Sequence, residues 1–211
     1  MTIGRVAWVV GGYLAGTIPS TYLIARWRGA LDLEAASDRR VGEADPHILM
    51  PLYLGWKWAA LASTADVLKG MLVVLAARDW GALSPPWLAA VGVAAVLGHA
   101  FPFYRRRMAG RGLATAAGVL LVLLPVEMAI AGAAIVLGAI LNETGLASTL
   151  GMASIPFVAW GRGQPFAYVA MAAVIFVVLV IRRLEGVSDV VRSGVPWPRA
   201  VLRRAVFDAS T

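Results

Sequence analysis

LATAAGVLLVLLPVEMAIAGAAIVLGAIL, residues Leu113 to Leu141, decides how many times this chain crosses a membrane. A transmembrane helix needs about 20 mostly apolar residues, and this run is longer than that. Pro125 stands inside it. Proline has no N–H to donate, and its ring clashes with the carbonyl one turn back, so a helix ends or kinks there. Arginine clusters lie on both sides of the run, in Arg105-Arg106-Arg107 with Arg111 before it and from Arg182-Arg183 onward after it. The positive-inside rule puts both clusters in the cytoplasm, so an even number of spans must separate them. Counting Leu113 to Leu141 as one span gives three. Splitting it at Pro125 gives four, the first of them short.

The composition agrees with a membrane bundle. Of 211 residues, 60% are hydrophobic and only 15% charged, whereas soluble domains are about a quarter charged. Mean hydropathy is +0.75. The other spans are Ile3–Ala25, Leu49–Ala77, Pro86–Phe103, Gly145–Trp160 and Phe166–Ile181. The first apolar run meets Arg26-Trp27-Arg28 rather than a small-residue cleavage site, so it reads as a span and not a signal peptide. The expected fold is all-α, a polytopic bundle of about seven spans. Its N-terminus lies outside and its C-terminus in the cytoplasm. Residues 1–183 form the bundle and 184–211 a basic cytoplasmic tail.

Several chemistries are excluded or disfavoured at this point. The chain has no cysteine and only two histidines, His47 and His99, which leaves no disulfide, no thiolate nucleophile and no histidine-rich metal site. The net charge of +7 comes from short basic tracts beside apolar runs. That pattern belongs to membrane orientation and anionic headgroups, not to nucleic acid.

The polar segments fall on one side, and three features in them could carry chemistry. Gly110-Arg111-Gly112 could cradle an anion, because glycine lets backbone N–H groups approach and the helix that follows offers its positive end. Arg111 would add a bidentate fork; read plainly, the four arginines are orientation signals. His99, in Gly98-His99-Ala100-Phe101-Pro102, ends an apolar helix and reads either as a structural hydrogen-bonder or as part of a site. No acid follows it at four-residue spacing, and no Ser-His-Asp set can be assembled. Asp66 and Lys69 share a helix face, either as a mutual ion pair or as lining for a ligand cavity.

Taken together these segments resemble the bacterial glycerol-3-phosphate acyltransferases that use acyl phosphate as donor. The likeness covers about residues 8 to 194. Gly98 to Thr115, GHAFPFYRRRMAGRGLAT, follows the family pattern G-H-x-F-P-x-F-x-x-F-x-G-G-K-G-x-A-T without a gap. Asp66-Val67-Leu68-Lys69-Gly70 matches D-x-x-K-G, and Gly12 to Pro19 is similar to the opening Y-L-x-G-S-I-P. The resemblance implies a seven-span enzyme of the bacterial cell membrane with its site at the cytoplasmic face. Its reaction would move a fatty acyl group from acyl phosphate to the 1-hydroxyl of glycerol 3-phosphate, making lysophosphatidate for phospholipid biosynthesis. It implies no cofactor, no metal, no acyl-CoA and no covalent acyl-enzyme. Substrates and membrane lipids are the expected partners.

The departures are local. The family's first loop, R-x-x-G-S-G-N-x-G-A-T-N, here keeps Arg39 and Gly42 but has Glu43 and Asp45 where neutral residues stand. Lysine in the second pattern is Arg111 and one glycine is Ala109. A later Y-x-S-L-x-S keeps only Ser148, and the third pattern, H-x-x-N-I-x-R-L, has Arg183 in place of its histidine. On residues and resemblance together, Arg39, Gly42, His99, Gly110, Arg111, Gly112 and Thr115 are the candidates to bind phosphate and shape its loop. Thr17, Asp66, Lys69, Ser148 and Arg183 support them, and no acid, base or nucleophile is assigned. A second reading is a non-catalytic or substrate-shifted paralogue that binds lipid or a protein partner; a third, from composition alone, is a small-molecule permease, which the one-sided polar clustering argues against.

Overall fold

Pro125 does end one helix and open the next. In a computed structural model, which describes residues 2–29, 50–51, 53–104 and 110–207, α5 (Leu113–Leu123) stops at Leu124 and α6 (Pro125–Ile140) begins with the proline in its first turn. There the missing N–H costs nothing, because the first helical N–H groups have no partner anyway. The secondary structure of the described residues is helical. The helices before α5 are α1 (Thr2–Gly16), α2 (Ser20–Trp27), α3 (Trp56–Asp79) and α4 (Pro85–Ala100). After α6 come α7 (Thr144–Gly161), α8 (Phe166–Leu184), α9 (Val187–Arg192), α10 (Trp197–Leu202) and a π-helical turn, Arg203–Phe207. By length and composition α3 and α8 can each cross a membrane, and α4, α5 and α6 are shorter apolar helices.

Two expectations shift. Ile3–Ala25 is not one helix but two, broken at Thr17-Ile18-Pro19, again by a proline that cannot continue the hydrogen-bond ladder. The Leu49–Ala77 run yields α3 only from Trp56, after Gly55 at φ +88°. The segment beyond residue 184 contains two short helices and a small apolar core. Val187, Val190 and Ala200 bury one another, with Leu184, Val191, Val195 and Val201 packed around them.

The chain forms two compact units, residues 1–119 and 120–211. In the first, α1 lies along α4 and α4 along α3. Small residues set these approaches. A Cβ on Gly16 would collide with the Ala95 carbonyl, and one on Gly98 with that of Tyr13, so α1 and α4 meet backbone to backbone, as small residues allow between membrane helices. The buried stripe of α3 reads Ala62, Asp66, Gly70, Val74, Ala77, a helical period with one carboxylate in it. In the second unit α7 packs between α6 and α8, and the turn Arg203–Phe207 folds back onto α7 and α8.

Candidate functional site

The break in the first span has a chemical use. Where a helix stops, its last carbonyls lose their N–H partners. Here two carbonyls just past the end of α1 take side-chain donors from elsewhere in the first unit, that of Ile18 in addition to the Ser20 N–H at 3.1 Å. Tyr104 donates its hydroxyl to the Thr17 carbonyl, and Lys69 Nζ donates to the Ile18 carbonyl at 2.9 Å. Thr17 turns its own hydroxyl back to Leu14 O at 2.6 Å. Tyr13 donates to the Phe101 carbonyl at 2.9 Å, tying α1 to the end of α4. The Gly16-Thr17-Ile18-Pro19 segment thus works as a docking point for polar groups of α3 and of the segment after α4.

Lys69 is the hub. Besides Ile18 it meets Asp66 Oδ1 at 2.5 Å and His99 Nδ1 at 2.8 Å. Asp66 is wholly buried, Lys69 is 9% exposed, and His99 Nδ1 lies 3.7 Å from the Asp66 carboxylate. A buried carboxylate is tolerable only beside a cation, and the helical i,i+3 spacing supplies it. Of the two readings of Asp66–Lys69, the ion pair is present, and it reaches out to a histidine. Sequence spacing missed this, because the acid that approaches His99 comes from another helix and not from four residues downstream.

The far side of the His99 ring meets the glycine loop. A Cβ on Gly110 would run into His99 Nε2 and Cε1, so only glycine lets the backbone lie against the imidazole. Gly112, at φ +91°, takes a left-handed turn that disfavours any side chain, and α5 starts at the next residue. Arg111 between them is partly exposed. Thr115, in the first turn of α5, is fully buried, and its hydroxyl has no hydrogen-bond partner among the described residues. Its carbonyl abuts Gly70, where a Cβ would not fit. His99, Gly110, Gly112, Thr115, Asp66, Lys69 and Thr17 therefore gather in one region of the first unit. Arg39 and Gly42, with Glu43, Asp45 and His47, lie outside the described residues, as do Arg105, Arg106 and Arg107.

Ser148 and Arg183 meet within the second unit. Arg183 is buried, 6% exposed. It donates to Ser148 Oγ at 2.8 Å, to Thr149 Oγ1, and to the Ala205 carbonyl at 3.4 Å. Thr149 donates in turn to Gly145 O at 2.9 Å or Val206 O at 2.7 Å. Arg204, also buried, donates to the Arg183 carbonyl at 3.2 Å. Thr149 and Arg204 carried no sequence signal; only the fold of the tail brings them in. Elsewhere in this unit Arg162 and Gln164 reach Glu127 Oε1 at 3.0 and 3.4 Å, which closes the α7–α8 turn onto the start of α6.

Comparison with known proteins agrees with the resemblance read from the motifs. The family described as glycerol-3-phosphate acyltransferase matches residues 6–192. A glycerol-3-phosphate acyltransferase of Pseudomonas syringae pv. tomato is 36% identical over 176 residues, 82% of this chain and 87% of that one. One from Pseudomonas paraeruginosa is 37% identical over 182 residues, covering 84% and 90%. Among solved structures, PlsY (YgiH), an integral membrane glycerol 3-phosphate acyltransferase, superposes with TM-score 0.74 in both its lysophosphatidic acid and its glycerol 3-phosphate forms. Those matches are 27% and 28% identical and cover 90% of this chain and 92% of that one.

Proposed function

We propose a function that starts from one fact: this chain belongs to the glycerol-3-phosphate acyltransferase enzyme family. It is a multi-pass protein of the bacterial cell membrane that makes lysophosphatidate. The 1-hydroxyl oxygen of glycerol 3-phosphate bonds to the acyl carbon of acyl phosphate, the bond from that carbon to the phosphate oxygen breaks, and inorganic phosphate leaves with the hydroxyl proton. The observation that carries this reading is the Gly110-Arg111-Gly112 loop, seated against His99 and leading straight into α5. Backbone N–H groups, a helix N-terminus and a guanidinium together suit a phosphate.

The protein's part is positioning and electrostatics. Arg111 and Arg39 neutralise phosphate, Gly42, Gly110 and Gly112 let backbone approach it, and His99 and Thr115 shape the loop. Thr17, Asp66 and Lys69 hold His99 and the broken span in place; Ser148 and Arg183 support the second unit. Fixed charges and orientation lower the barrier without an acid, a base or a nucleophile from the side chains, and without metal or cofactor. Large apolar side chains left on the outside, among them Leu72, Ile140 and Phe157, suit lipid tails.

The arrangement is seven spans with α1 and α2 sharing the first, α5 as the short fourth, the N-terminus outside, and the glycine loop and the 184–211 tail in the cytoplasm. Nucleic acid has no role. The second reading, a substrate-shifted or non-catalytic paralogue, draws on Arg183, whose guanidinium is engaged by Ser148 and Thr149 where the family pattern has histidine. Purified protein supplied with acyl phosphate and glycerol 3-phosphate decides between them. Formation of lysophosphatidate with release of phosphate is expected; no product from a folded preparation favours the paralogue. A Gly163→Cys variant should label only from outside the cell, and labelling from the cytoplasm would reverse the orientation.

A further inference from the structure

We infer that His99 is held by Lys69 as a neutral imidazole with its proton on Nε2, and that it is a positioning residue which presents this N–H to the glycine loop. The inference rests on the acyltransferase reading for its purpose, but not for its geometry. An ammonium has three hydrogens and no lone pair. Lys69 has three acceptors around it, Asp66 Oδ1 at 2.5 Å, the Ile18 carbonyl at 2.9 Å and His99 Nδ1 at 2.8 Å. Two of the hydrogens are thereby committed, to Ile18 O and His99 Nδ1, and the Asp66 carboxylate answers the charge. The contact with His99 works only if Nδ1 carries the lone pair, so in the neutral ring the proton sits on Nε2.

Two consequences follow for the site. Lys69, although a conspicuous cation, is poorly placed as the phosphate ligand, because its charge is answered by Asp66 and two of its hydrogens hold Ile18 and His99. Among the described residues of this unit, the phosphate cation is then Arg111. Meanwhile Nε2, the proton-bearing edge of His99, faces Gly110, where a Cβ would strike Nε2 and Cε1. The loop is therefore set by a chain that runs from the broken first span through Lys69 and His99 to the Gly110 backbone. A change at Asp66 or Ile18 would be felt at the loop without touching substrate.

The test has a spectroscopic arm and a binding arm. Nitrogen NMR of histidine-labelled protein, with His47→Gln to leave one signal, should show Nε2 protonated and Nδ1 bare at neutral pH. A protonated Nδ1, in either a neutral ring or an imidazolium, would overturn the assignment. For binding, glycerol 3-phosphate is titrated into folded variants by calorimetry. His99→Gln can place an amide N–H near the Nε2 position, while His99→Asn keeps an acceptor for Lys69 but cannot reach the loop. His99→Asn should bind about tenfold more weakly, the size of one lost hydrogen bond, with its melting temperature kept, and His99→Gln should recover most of that loss. Equal affinity in the two variants would overturn the positioning role. Neither arm needs turnover, so an inactive wild-type chain that passes both counts against the acyltransferase reading alone.

Discussion

Each unit buries a cation, and the two are satisfied in different ways. In the first, Lys69 sits beside a carboxylate and spends two hydrogens on a broken helix and a histidine. In the second, Arg183 donates to two hydroxyls and to a carbonyl of the C-terminal turn. The first arrangement fixes a charge pair and passes orientation outward, to a loop with a partly exposed arginine. The second turns inward and holds the tail. The family's sequence patterns follow the same division. D-x-x-K-G and most of G-H-x-F-P…G-x-G-x-A-T survive in the first unit, whereas the histidine pattern of the second has been replaced at the position of Arg183. A cation can be kept for what it binds or for what it anchors, and its neighbours tell which.

Breaking the first arrangement should cost most. Asp66→Ala leaves the Lys69 ammonium buried without its carboxylate, a loss of about 3–5 kcal/mol. Thermal unfolding in detergent should show a large drop in midpoint, and a midpoint within a degree or two of wild type would mean that the pair is not buried as described. The second arrangement should cost less. Arg183→Met keeps much of the volume but removes the donor to the Ser148 and Thr149 hydroxyls, which keep their own carbonyl acceptors, and frees the Ala205 carbonyl, about 1–3 kcal/mol. The specific sign is local: limited trypsin digestion should cut at Arg203 or Arg204 faster than in wild type. Unchanged digestion would show that the turn is held by other contacts.

Part of the fold was legible because proline is unambiguous. Pro125 divided the long apolar run by the logic of hydrogen bonding, and the parity of basic loops demanded the same division. Pro19 carried an equal signal, yet the apolar composition of Ile3–Ala25 concealed it. The use of that break could not be read at all, since the groups that fill the Thr17 and Ile18 carbonyls, Tyr104 and Lys69, are far away in sequence. His99 and Asp66 were each visible as candidates. Their approach was not, because it depends on how α3 and α4 cross, which no spacing within one helix encodes. The small core of the tail carried no sequence signal either. Its valines are interleaved with charges and fall short of a span, although they suffice for a small core of their own.

The central claim is that phosphate is recognised in the first unit by the arginine between two glycines, not by a diffuse basic patch or by the buried hub Lys69. Calorimetric titration of glycerol 3-phosphate into Arg111→Ala, Arg111→Lys and Arg106→Ala, each checked for folding, tests it most directly. The account predicts no measurable binding for Arg111→Ala, since the lost charge-assisted bonds are worth about 1.5–3 kcal/mol each. Arg111→Lys should bind, as a point charge at the place of the family's lysine, and Arg106→Ala should bind like wild type. Arg111→Ala binding as tightly as wild type, or losing no more than Arg106→Ala does, would contradict the claim.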